Sequence, residues 1–113
     1  MISTKLLSEV TQSKVRQVMK VIDSKLWYKA GQNNNVPHTW TDVYINIYEL
    51  AWKCKQWALD NHYSILLELS FPLSGIIIIN REGEEVYDEV SNKPEHELIF
   101  KGCEWILKQK EKI

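Results

Sequence analysis

His38, His62, His96, Cys54 and Cys103 are the side chains best suited to hold a metal or to serve as nucleophile and base. Their spacing serves neither task. No CxxC, HxxxH or HExxH pattern occurs, and zinc sites are built on such spacings. Each histidine is accounted for as a loop or helix-start residue. A Cys–His dyad needs a thiolate, which forms in a positive, partly exposed setting. Cys54 and Cys103 sit instead among apolar neighbours on helical patterns, where a free cysteine packs as a small hydrophobe. GxSxG, Walker and GxGxxG patterns are missing, and four glycines leave little backbone to cradle a phosphate. Seven acids crowd Glu82–Glu97, a density that fits a solvated edge better than a catalytic carboxylate pair. These residues point to no enzyme, no cofactor and no metal.

Charge distribution and aromatic spacing are more informative. Lys14–Lys29 holds Lys14, Arg16, Lys20, Lys25 and Lys29 against Asp23, a local charge of +4. Glu82–Glu97 sets its seven acids against Lys93, a local −6. Trp27 and Tyr28 lie beside Lys25 and Lys29, a mixture of rings and bases on which nucleic acid can stack. Lysines on a small edge hairpin also block strand pairing between molecules, and that plainer role is favoured over nucleic-acid contact. The acidic segment fits a solvated edge first, and mimicry of nucleic-acid charge or a basic protein partner second.

Tyr44, Tyr48 and Trp52 recur every fourth residue, and Trp40 extends the row. At about 100° per residue, Tyr48, Trp52 and Leu59 flank the Leu50/Ala51/Cys54 seam and widen its apolar arc. Burial under a sister helix is one account of a wide arc. An exposed patch for a protein partner or a second subunit is the other, since Tyr and Trp dominate interface hot spots. The candidate partner-binding set is Trp40, Tyr44, Tyr48 and Trp52, joined by His38 from the adjoining loop.

These side chains need elements to position them. Lys14–Ala30 fits a helix at Val15, Val18, Met19, Ile22 and Leu26, or a hairpin turning at Asp23-Ser24-Lys25. Its β-branched and aromatic content favours the hairpin. Gly31–Thr41 gathers three Asn, a Gly and a Pro and reads as a loop. Asn46 followed by Glu49 resembles a capping box, opening a helix that runs to about residue 60 and stops at Asn61. Tyr63–Ser70 reads as a strand and Phe71–Gly75 as its turn. Four consecutive isoleucines in Gly75–Asn80 predict a central strand covered on both faces, either by the helices or by another chain. Arg81-Glu82-Gly83 then turns the chain into Glu84–Val90, and Asn92 and Pro94 open a last helix reaching about Lys110. Glu97–Lys101 and Glu104–Lys108 are spaced to pair along that helix, worth about 0.3–0.5 kcal/mol each.

Glu49–Leu59 (ELAWKCKQWAL) aligns without gaps on Glu97–Leu107 (ELIFKGCEWIL), 48 residues later. Each helix follows a candidate hairpin, so a duplicated ββα arrangement is one reading. Shared constraints on two amphipathic helices are the other. Trp57 and Trp105 hold matching core-edge positions either way.

Ile45–Leu59 (INIYELAWKCKQWAL) and Leu98–Gln109 (LIFKGCEWILKQ) also resemble a group of small proteins of bacterial prophages. That group typically carries ELAHKCKEWA and IFKACEWIL helices and an opening similar to STKLLSEV. Trp52 stands where the group usually has His, and the Gly31–Thr41 loop is longer. The resemblance implies a mobile-element origin without an assigned activity, and more distantly a likeness to phage α-β-α sandwich domains.

The 113 residues leave room for one domain, 1–113, and 44% apolar with 26% charged residues is the composition of an ordinary globular chain. A net charge of −1 does not favour nucleic acid, and no apolar run approaches the roughly 20 residues of a membrane helix. MISTKLLSEV lacks the features of a signal peptide, so the reading is cytoplasmic, in a bacterial host cell. The expected fold is α+β, an antiparallel sheet of four or five strands with two packed helices. The expected role is a non-catalytic module that binds a host or phage protein, with anti-CRISPR-like inhibition of a host defence nuclease as its most concrete form. A homodimer is compatible with this. The alternative is a nucleic-acid accessory protein using Lys14, Arg16, Lys20, Lys25 and Lys29.

Overall fold

The computed structural model describes residues 2–31, 39–70 and 72–112; His38 lies outside them. The chain runs α1 (Thr4–Thr11), β1 (Val15–Ile22), β2 (Lys25–Gly31), β3 (Trp40–Asn46), α2 (Ile47–Asp60), β4 (Ser64–Ser70), β5 (Leu73–Ile79), β6 (Glu85–Ser91) and α3 (Glu95–Glu111). The α+β class is as expected. In place of one sheet with two helices, however, the described residues form two three-stranded antiparallel sheets, β1-β2-β3 and β4-β5-β6, with three helices. The repeated unit is therefore βββα, not ββα.

The hairpin reading of Lys14–Ala30 holds. Alternating Leu26, Tyr28 and Ala30 are buried on one face of β2. Asp23 and Ser24 both adopt positive φ, 52° and 63°, as a two-residue type I′ turn demands. Val21 pairs with Leu26 across this turn, and 48 residues later Leu69 pairs with Ser74. The two hairpins thus share one register. The units then diverge and rejoin. Eight residues join β2 to β3 but only five join β5 to β6, whereas α2 follows β3 directly and residues 92–94 separate β6 from α3. Three residues gained in one connection offset three lost in the next, which keeps the helices gapless at 48.

The additional helix and strand have local causes. In α1 the Ser3 hydroxyl accepts from the Leu6 amide at 3.1 Å, and Leu6 and Leu7 are fully buried. Strand β3 takes up Trp40 and Thr41, which the sequence assigns to a loop, and pairs along its whole length with β2.

The inner faces of both sheets close on the helices. Leu26, Tyr28, Ala30, Ile45 and Ile78 join Leu50, Cys54, Ala58, Ile99, Cys103 and Ile106 in one core. Ile76 and Ile78 press against α3 at Gly102, where an added Cβ would lie 2.9 and 3.1 Å from their Cδ1 atoms. The molecule is 18 Å thick along its shortest axis. Layers pack about 10 Å apart, so this thickness holds two: sheets on one side, helices on the other. The isoleucine run is accordingly covered once. Ile76 and Ile78 are fully buried while Ile77 and Ile79 stay half-buried on the outer face. Nor do the expected pairs form along α3: Lys101 binds Glu89 of β6 at 2.6 Å, and Glu104 accepts from the Ser3 hydroxyl at 2.7 Å.

Candidate functional site

Helix α2 presents one apolar face too many. Asn46 caps it, its side-chain oxygen accepting from the amides of Tyr48 at 2.8 Å and Glu49 at 3.4 Å. Leu50, Ala51, Cys54, Trp57 and Ala58 then point into the core. On the remaining flank Tyr48 is 63% exposed and Trp52 59%, so the sister helix does not cover them. Tyr48 stands edge-on to His96 at the start of α3, with ring centroids 5.8 Å apart. Trp52 forms a ridge between two clefts. One, of about 390 Å³, lies between Tyr48, Lys55, Pro94, His96 and Ile99. The other, of about 410 Å³, lies toward Glu9, Gln12, Lys53 and Asp60.

The internal repeat shows that this exposure is not forced by the fold. Trp52 corresponds to Phe100, which is only 7% exposed, and Leu59, half exposed, corresponds to Leu107 at 5%. Equivalent positions on α3 are core. Conversely Trp57 is buried, donating from Nε1 toward Glu9 at 3.4 Å beneath the Lys110 ammonium, whereas Trp105 is half-buried between Tyr63 and Tyr87. Both tryptophans anchor the edge of the core.

Trp40 and Tyr44 belong to a different surface. They lie on the outer face of β3, where residues two apart share a side. Tyr44 packs 5.0 Å from Trp27, and the Lys25 ammonium sits 4.9 Å over the Tyr44 ring. Trp40 lies over Gly31 with the Arg16 guanidinium 5.8 Å from its ring. Lys29 is paired with Asp42 at 2.7 Å, while Lys14, Lys20 and Lys25 are exposed. The four-residue row is thus divided at Asn46 into a sheet patch and a helix patch. Sequence reasoning named Trp27 beside Lys25 and Lys29 but did not join it to Tyr44, and it missed the outward row Leu66, Leu73, Ile77 and Val90 on the second sheet. Alternation along β4 and β5 was the available signal.

The surroundings of one thiol and two phenols favour their neutral forms. The Cys54 thiol is pushed well above the ordinary thiol range by its hydrogen bond with Cys103, and further by burial. The Cys103 thiol also donates to the Cys54 carbonyl at 3.5 Å. Burial raises the Tyr28 and Tyr87 hydroxyls, with Glu49 and Glu89 adding to it. A thiol so raised is a poor nucleophile. Among the described residues no three His, Cys, Asp or Glu side chains are grouped to hold a metal ion, and no helix is long and apolar enough to cross a membrane.

The fold and these patches define an α+β chain that presents aromatic side chains on both of its layers. Comparison with protein-family models, curated proteins and solved structures finds no match.

Proposed function

We propose that this protein is a non-catalytic binding module that acts by occupying another protein with the Tyr48–Trp52 ridge of α2. The observation that carries this reading is the exposed Trp52 at the position where the second unit buries Phe100. An exposed Trp flanked by clefts is the form in which hot-spot anchors present themselves. The resemblance of the helices to prophage proteins supports a mobile-element origin. A host protein is then the natural target, and anti-CRISPR-like inhibition of a defence nuclease is its most concrete form. A second reading, a nucleic-acid accessory protein, draws on the four bases that surround Trp27 and Tyr44 on the first sheet.

Trp52→Ser with Tyr48→Ser tests the first reading. Wild-type protein and the variant are each used to capture partners from a bacterial host lysate, with mass spectrometry as the readout. A stoichiometric protein retained by wild type and lost by the variant, at an unchanged circular-dichroism melt, is the expected result. Equal capture by both, or a variant that unfolds, removes the ridge as the site.

A further inference from the structure

Among the described residues nothing covers the outer face of either sheet, and the two faces are complementary. Outward on the first sheet, Arg16, Lys20, Lys25 and Lys29 surround Trp27 and Tyr44, with Asp42 the one acid. Outward on the second, Leu66, Leu73, Ile77 and Val90 form an aliphatic field beside Glu68 and Asp88, and its three strands contain no base. Apolar sheet faces of this kind ordinarily pack against another layer.

We propose that two copies of this chain stack face to face, the first sheet of each covering the second sheet of the other. Because both sheets lie on the same side of the helical layer, one two-fold axis satisfies both faces at once and the assembly closes as a dimer. Bases then meet acids twice, and the Trp27/Tyr44 rings meet the isoleucine field twice. Three strands of seven or eight residues give each face roughly 300 Å² in projection. The pair, once pleat and side-chain relief are added, reaches the roughly 800 Å² per partner of a specific interface. Nucleic acid would suit the first face but be repelled by the second. A second copy accounts for both, and it supplies the layer that the isoleucine run lacks. The Trp52 ridge lies on the helical layer and stays free in this arrangement.

Charge exchange tests the pairing in the full-length chain. Wild type is run by size-exclusion chromatography with light scattering at about 100 μM and in dilution, alongside Lys20→Glu/Lys25→Glu, Glu68→Lys/Asp88→Lys and the four-site combination. All four positions are exposed, and far-UV circular dichroism on each variant is the control for folding. The expected wild-type mass is twice 13.3 kDa. Each pair of reversals should weaken the dimer by about tenfold or more, and the four-site variant should recover it, since the signs are then exchanged and still complementary. A monomeric wild type overturns the proposal. So do reversals that leave the dimer unchanged, a four-site variant no better than its parents, or salt-sensitive oligonucleotide binding by a monomer.

Discussion

Gly102 sits where α3 meets β5, and its replacement by Ala sets two calculable effects against each other. Helix propensity alone favours Ala by about 1 kcal/mol. The new Cβ, however, would lie 2.9 Å from Ile76 Cδ1 and 3.1 Å from Ile78 Cδ1, both on fully buried side chains. Overpacking of a tight core costs about 1–3 kcal/mol. The cost wins, and Gly102→Ala should destabilise by about 1 kcal/mol. Ile76→Val removes the nearer methyl and by itself costs about 0.5–1.5 kcal/mol. Combined, the two should cost about 1 kcal/mol less than their sum, because the valine opens the space the new methyl needs. Urea unfolding of the four proteins measures this cycle. If Gly102→Ala alone is stabilising and the double variant is additive, the helix does not press on β5 as described.

Three further outcomes are expected. Ser24→Gly should stabilise by about 1 kcal/mol, because a residue with a Cβ now holds φ at 63° in the first hairpin; a lower urea midpoint would contradict the type I′ turn. Trp57→Ala should cost about 3–5 kcal/mol and half-buried Trp105→Ala about 2 kcal/mol, so equal urea midpoints would remove the distinction between buried and edge anchor. The Cys54 thiol is raised in the fold, so the unfolded chain loses that proton first. Its contribution is complete below about pH 8.5 and falls by at most about 1.4 kcal/mol per pH unit above it. Unfolding midpoints between pH 7 and 10 should therefore fall less steeply for Cys54→Ala than for wild type.

How far the sequence could be read depends on which periodicities it kept apart. The first hairpin was legible because β-branched and aromatic residues alternate on both sides of Asp23-Ser24. Helix α2 was legible because Asn46 marks its start and Asn61 its end. Strand β3 was not, for a reason of arithmetic. A spacing of four returns to the same face in a strand and in a helix alike, so Trp40, Tyr44, Tyr48 and Trp52 read as one row across an element boundary. Helix α1 offered only two turns of pattern, although Ser3 before Leu6, Leu7 and Val10 was a usable cap signal. The isoleucine run announced a strand with two apolar faces, but a run of this kind does not say whether its own chain covers both. Exposure of Trp52 was beyond the sequence too, since Phe100 at the matching place is core.

The direct passage from β3 into α2 has a mechanical consequence. Asn46 is the last residue of the strand and the cap of the helix, so no slack separates them. Helical pitch then gears the azimuth of Trp52 to the sheet: one residue inserted between Tyr44 and Tyr48 would swing the ridge by about 100°. The second unit has a three-residue clutch at 92–94 that can absorb such a change. The first has none. Any force on the outer face of β3 is delivered through a single rigid crank to the aromatic ridge two helical turns away.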